Sequence, residues 1–214
     1  MNAAVKIVVF GAAGGTGQQL VAQGLAAGHR VTAFTRRPDA VAVRQGLTVA
    51  VGSTRDANAV ERALEGCDAV LSALGGHPLR RREQVCASAM SRIVPAMTRL
   101  GIRRVLALST FGAGDSRAQV GWLVRHLLFG LVLRSEVADK EAMEAQLRAS
   151  ALEWTIVRVG LLSDAPPRGG WRAADDGSMR GMGKIARADV AAFMLAQIGS
   201  PTWLRRAPVV VGLD

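Results

Sequence analysis

The chain has 214 residues, with 27 lysines and arginines against 17 aspartates and glutamates, a formal net charge of +10. Half of its residues are hydrophobic, which excludes general disorder and supplies apolar surface for a substantial core. The positive charge comes mostly from dispersed arginines with few aromatics among them, so it points to small anionic ligands rather than nucleic acid.

Cys67 and Cys86 have no metal-ligand spacing and suggest no disulfide framework, and a strand signal begins almost at the N-terminus. The longest apolar stretch, 120–133, is interrupted by Arg125 and His126 and is too short to cross a bilayer. The expectation is a cytoplasmic monomer or homodimer acting on a small-molecule substrate, with no metal, no nucleic acid and no membrane partner.

Val5 and Ile7 to Phe10 predict the first strand. It runs into a turn with glycine at 11, 14 and 17, and helix formers follow at once. A strand, a glycine turn and a helix N-terminus in that order present free N–H groups to a pyrophosphate. The spacing is G-x-x-G-x-x-G rather than G-x-G-x-x-G, and its force comes from its place between strand and helix. Gly11, Ala13, Gly14, Gly15, Thr16 and Gly17 are the expected dinucleotide contacts.

Arg30 to Thr35 reads as the second strand, with Arg36 and Arg37 at its tip. A fold that takes NAD commonly places an acid there for the ribose 2′-hydroxyl, whereas two guanidiniums suit a 2′-phosphate. NADP(H) is the expected cofactor; the alternative is two solvated arginines at a strand end.

A helix through about Arg44 is expected next, then a strand from Leu47 to Val51 ending at Ser53 and Thr54. Asp56 to Glu65 reads as a helix stopped by Gly66, and Asp68 to Ala73 as a fourth strand followed by Leu74, Gly75 and Gly76. A long helix from about Arg82 to Leu100 contains Pro95, which predicts a kink, and Gly101 stops it. Arg104 to Ser109 is the fifth strand, with Ser109 and Thr110 at its tip. Two helical stretches within 118–149, a strand from Trp154 to Val159, a Gly- and Pro-rich, flexible or hairpin-like loop over the active edge at 162–183, a helix from Arg187 to Ile198 and a strand from Pro208 to Gly212 complete the reading. The alternation predicts an α/β fold with a doubly wound, mostly parallel sheet. It is read as one domain, with a cofactor-binding core over about 1–115 and a substrate-side elaboration over 116–214. Ligands of such sheets gather at the carboxyl ends of the strands, where the glycine turn, Arg36, Arg37, Ser53, Thr54, Ala73, Leu74, Gly75 and Ser109 converge.

Together, the glycine turn, Ala73-Leu74-Gly75-Gly76, Ser109-Thr110, Ala138-Asp139-Lys140-Glu141, Leu147-Arg148-Ala149-Ser150, Trp154-Thr155-Ile156-Val157-Arg158 and the segment 185–193 resemble an atypical short-chain dehydrogenase/reductase. The branch indicated is the NAD(P)H-binding group that includes biliverdin reductase B (flavin reductase) and NmrA-like proteins. The resemblance spans nearly the whole chain and implies a Rossmann-like fold. It places Ser109, Thr110 and Lys140 beside the nicotinamide as catalytic candidates, and adds Lys140, Val159 and Leu161 to the cofactor contacts.

The chain contains no tyrosine, so the Tyr-x-x-x-Lys pair of the main short-chain dehydrogenases cannot operate. Glu136 stands where the phenol would be, and Glu136 with Lys140 reads equally as an i, i+4 ion pair. His77 is a further, weaker acid candidate, and Leu161 stands where biliverdin reductase B has a histidine. The expected function is an NADPH-dependent reductase passing hydride to a flavin, quinone or enone type of acceptor. The alternatives are a non-catalytic NADP-binding sensor or regulator, or an isomerase or lyase on the same fold.

Overall fold

Strand β1 (Lys6–Phe10) is buried on both faces, and its side chains alternate between two cores. Val8 and Phe10 enter one core and Ile7 and Val9 the other, which explains the unbroken apolar run. The computed structural model describes residues 4–75, 84–120, 134–179 and 183–213.

After β1 come α1 (Gly15–Ala26), β2 (Arg30–Thr35), β3 (Leu47–Val51), α2 (Ala57–Leu64), β4 (Ala69–Ser72), α3 (Val85–Arg99) and β5 (Arg104–Thr110). Then follow α4 (Arg134–Ala149), β6 (Glu153–Val159), β7 (Leu161–Ser163), β8 (Trp171–Ala174), β9 (Lys184–Ala186), α5 (Arg187–Ala196) and β10 (Val209–Gly212). Eight strands form one sheet in the order β3-β2-β1-β4-β5-β6-β10-β8. Its neighbours pair in parallel except β8, which runs antiparallel to β10. This is the Rossmann-like α/β architecture. The chain reverses its direction of travel across the sheet between β1 and β4, which leaves a crevice at their carboxyl ends.

Helices α2, α3 and α4 cover one face, and α1 and α5 the other. Asp56 caps α2 by accepting the N–H groups of Asn58 and Ala59, and Gly66 stops the segment with a positive φ of 64°. Helix α3 continues through Pro95.

Two expectations are corrected. The helix expected up to Arg44 is a single 3-10 turn, Pro38–Ala40. A segment this short cannot offset its nucleation cost; none of its residues is buried, and only Val41, just after it, reaches the core. The flexible or hairpin-like loop expected over 162–183 overlaps β7, contains β8 and leads into β9; its strands do not pair with each other, β9 joining β7 in a small separate sheet and β8 joining β10. Trp171 anchors β8 by meeting Phe193 edge-on, with ring centroids 5.6 Å apart. Trp122 and Phe129, which with Trp171 read from the sequence as either apolar pocket lining or plain core, lie outside the described residues. So do the first of the two helical stretches expected in 118–149, beyond residue 120, and Gly76, His77 and Arg82.

The start of α3 is capped from another helix. Asp139 of α4 is buried, and its two oxygens accept the N–H groups of Cys86 and Ala87 at 2.9 and 2.8 Å. A carboxylate here satisfies two orphan donors and meets the positive end of the helix dipole. Asp139→Ala is expected to lower stability by about 2–4 kcal/mol, the cost of two buried N–H groups without acceptors. Urea unfolding followed by circular dichroism measures it; a loss under 1 kcal/mol would refute the capping role.

Candidate functional site

A cleft of about 860 Å³ opens at the carboxyl ends of β1 to β4. Gly11, Ala13 and Gly14 form its floor beside Ala73, Leu74 and Gly75. Thr35, Arg36, Arg37, Ser53 and Thr54 line the side towards β2 and β3.

The glycine turn has a separate steric reason at each position. Gly11 has φ +82°, and a Cβ there would lie 2.8 Å from the Ala73 carbonyl oxygen. At Gly17 a Cβ would lie 2.0 Å from the Gly11 carbonyl oxygen, so helix and turn touch backbone to backbone. Gly14 is different: its Cβ would meet only the Gly11 oxygen, at 3.4 Å, and would otherwise project into open space. Glycine at 11 and 17 builds the turn, and glycine at 14 keeps the turn clear for something else.

Helix α1 begins at that clear space. Its N-cap is Gly14, no side chain caps it, and its first turn carries no acid. The first N–H groups of the helix are thus available to an anion. By contrast, α2 and α3 have their N-termini filled by Asp56 and Asp139.

Thr35 shapes the tip of β2. Its buried hydroxyl accepts from the Arg37 N–H at 3.0 Å and donates to the Arg37 carbonyl at 3.2 Å, which leaves Arg36 and Arg37 exposed at the rim. Neither guanidinium has an ion-pair partner among the described residues. Arg55 adds a third arginine to the lining, and no carboxylate among the described residues lines the cleft. The Ser53 hydroxyl accepts from the Arg55 N–H at 3.2 Å.

The other expected residues fall elsewhere. Gly15, Thr16 and Gly17 belong to the first turn of α1, beside the cleft lining. Ser109 is 2% exposed, and its Oγ donates to Glu144 Oε1 of α4 at 2.6 Å. Glu144 in turn holds Arg158 Nη2 at 2.6 Å and Nε at 3.1 Å, and Arg158 reaches Asp115 at 2.6 Å. Burial opposes the charge on Arg158, but the Glu144 and Asp115 hydrogen bonds outweigh it and hold its pKa above the ordinary value. The Ser109 hydroxyl is therefore committed to this network.

Lys140 is 4% exposed, and its Nζ donates to the carbonyls of Leu74 and Leu108, each at 2.7 Å. It joins the ends of β4 and β5, and it does not form the ion pair with Glu136. Cys86 packs beside it, its Sγ 3.3 Å from the same Leu74 carbonyl. Burial pushes the Cys86 thiol up to about 11, so it is no nucleophile at neutral pH. Thr110 stays half-buried at the tip of β5, with a long 3.3 Å contact from its hydroxyl to the Phe111 carbonyl. Val159 is buried, and Leu161 is 53% exposed on β7.

The sequence reading missed Phe34, Gly52, Arg55, Gln84, Val85 and Ser88 in the lining. Gly52 carried a signal: it directly precedes Ser53 at a strand tip, and a Cβ there would meet the Phe34 ring at 3.0 Å. The α3 residues carried none, because their approach depends on how α3 docks.

A family model described as NAD(P)H-binding matches residues 11–201. The structure is similar to that of ChuY, an anaerobillin reductase from Escherichia coli O157:H7, at 26% identity over 98% of each chain and a TM-score of 0.82. It is also similar to a short-chain dehydrogenase/reductase from Veillonella parvula in complex with NADP, at 22% identity, covering 97% and 94% of the two chains, with a TM-score of 0.83. The sterol demethylase protein B of Methylococcus capsulatus is 36% identical over 113 residues, half of this chain. That matched stretch spans about a third (34%) of the relative's length.

Two glycine substitutions are expected to separate ligand from fold. Gly14→Val should melt within a few degrees of wild type yet lose NAD(P)H binding, because its side chain enters the open space. Gly17→Ala should lower the melting temperature, because its Cβ strikes the Gly11 carbonyl. Differential scanning fluorimetry with and without NADPH checks both; unchanged NADPH binding in Gly14→Val would move the cofactor elsewhere.

Proposed function

The chain belongs to the NAD(P)H-binding family, and we propose that within it the protein is a cytoplasmic NADP(H)-dependent reductase of conjugated or aromatic small molecules. The observation that carries the cofactor choice is the rim of the cleft, where Arg36 and Arg37 stand exposed and no acid among the described residues lines the wall. A 2′-phosphate brings a charge that two guanidiniums can bind bidentately, whereas a bare 2′-hydroxyl draws little from them. Gly14 and the uncapped start of α1 would hold the diphosphate. Ala73, Leu74 and Gly75 would bound the cofactor on the β4 side.

The bound cofactor supplies hydride; the protein binds, orients and shields. Lys140 holds the tips of β4 and β5 at a fixed separation through two main-chain carbonyls, and so acts as a positioning residue. Ser109 contributes through the Glu144 network that fixes the end of β5, and Thr110 remains the hydroxyl nearest that tip with no strong partner.

The choice of acceptor follows from what these groups cannot do. Reduction of a simple ketone needs a proton donor at the developing alkoxide. The chain has no tyrosine, the Ser109 hydroxyl is engaged, and two of the three Lys140 N–H donors are held by main-chain carbonyls. A flavin, quinone or enone spreads the incoming charge and takes its proton from water. The resemblance to a reductase at 26% identity supports turnover over passive sensing.

Two measurements test this reading. Isothermal titration calorimetry is expected to give NADPH at least about ten-fold tighter binding than NADH, roughly 1.4 kcal/mol, with most of the difference lost in Arg36→Ala. Equal affinities would overturn the NADP(H) assignment. NADPH oxidation should be measurable with flavins, quinones or enones and far slower with simple ketones. Lys140→Met should retain part of it, losing about ten- to a thousand-fold. Tight NADPH binding with no turnover of any acceptor would favour a regulator.

A further inference from the structure

Arg187 opens α5, and its side chain lies across the first residue of α1. A Cβ built on Gly15 would stand 2.7 Å from Arg187 Cδ and 2.9 Å from its Nε. The absent side chain at 15 is the space that this arginine fills. Gln23 of α1 ties the two helices together here, its Nε2 donating to the Ala188 carbonyl at 2.9 Å. The Arg187 guanidinium is thereby held against Gly15 at the uncapped helix start, its Cζ 3.6 Å from where a Cβ there would stand.

Its present partner is a weak one. Arg187 Nη1 donates to Asp164 Oδ1 at 2.7 Å, and the Asp164 side chain is 84% exposed. Exposed pairs of this kind contribute little to stability. Asp189, in the same turn of α5, is buried and already accepts the N–H groups of Arg168 and Gly169 at 3.0 and 3.1 Å. A diphosphate at this helix start offers several oxygens and more charge than the Asp164 carboxylate, inside the field of the helix dipole.

We propose that Arg187 is a ligand of the cofactor diphosphate, and that Asp164 is an exchangeable counter-ion which competes with the diphosphate for it. The proposal rests on the NADP(H) reading above and adds a binding residue from the far end of the chain. It assigns the arginines separate duties. Arg36 and Arg37 read the 2′-phosphate, which only NADP(H) carries, and Arg187 reads the diphosphate, which NADPH and NADH share.

The test is calorimetric titration of wild type, Arg187→Met and Asp164→Asn with NADPH, NADH and adenosine 2′-monophosphate, which lacks the diphosphate. Arg187→Met is expected to weaken NADPH and NADH by the same factor, about ten- to a hundred-fold, and to leave adenosine 2′-monophosphate unchanged. Asp164→Asn should tighten both dinucleotides by about two- to five-fold, since it removes the competitor. Opposite signs for the two ends of one ion pair would not arise from a merely structural bridge. Unchanged dinucleotide affinity in Arg187→Met, equal weakening of all three ligands, or weakening by Asp164→Asn would each overturn the proposal. If Arg187→Met melts early, Arg187→Lys replaces it and should keep most of the affinity; a loss as large as that expected of Met would also overturn the proposal. Wild type that binds no dinucleotide would refute the NADP(H) reading itself, a result distinct from any of these.

Discussion

The backbone contact between the start of α1 and the turn after β1 governs the geometry of the whole cleft. A helix packed on a strand normally stands off by the thickness of its side chains. Here Gly17 removes that spacer, and the helix sits against the Gly11 carbonyl. Its unpaired N–H groups are brought down to the level of the strand tips, where β4 and β2 supply the other walls. With both sheet faces sealed by helices, this edge is where polar chemistry meets solvent.

Helix α4 braces the same edge from the opposite face. Asp139, Lys140 and Glu144 all point inward and are all buried. Each ends on main chain or polar groups of another element: Asp139 on α3, Lys140 on β4 and β5, Glu144 on Ser109 and Arg158. Three ionisable side chains in two helical turns would suggest a reactive centre, yet their hydrogen-bonding capacity goes largely into holding strands in place. Removing one member of such a set leaves a buried charge or donor without its partner, which costs more than the set contributes when intact.

What the sequence disclosed was what local chemistry controls. The bounds of β2 and β3 follow from short apolar alternation, and Gly66 and Gly101 stop their helical segments with the positive φ expected of them. Gly11, Arg36 and Arg37 could be read because a strand tip fixes where its next residue stands. The hydroxyl of Ser109 and the ammonium of Lys140 were read by position and residue type alone. Their true partners lie 32 to 66 residues away and depend on how α4 docks. Strand β8 was hidden for a related reason: four residues between Gly- and Pro-rich segments carry little pattern until β10 offers them an edge.

That short antiparallel strand has a consequence for how the molecule diversifies. Trp171 pairs with Gly212 and Ala174 with Val209, so β8 is entered from the carboxyl edge of the parallel strands and runs away from it. The stretch between β7 and β8 therefore begins and ends on the side of the sheet where the cleft opens. Its backbone is pinned by Asp189 at Arg168 and Gly169, and Arg168 also holds the Leu213 carbonyl. Between these anchors, insertions and exchanges can accumulate without altering strand register or core volume. The fold thus carries an interchangeable segment at its mouth, separable from the glycine turn and strand tips that build the cleft floor.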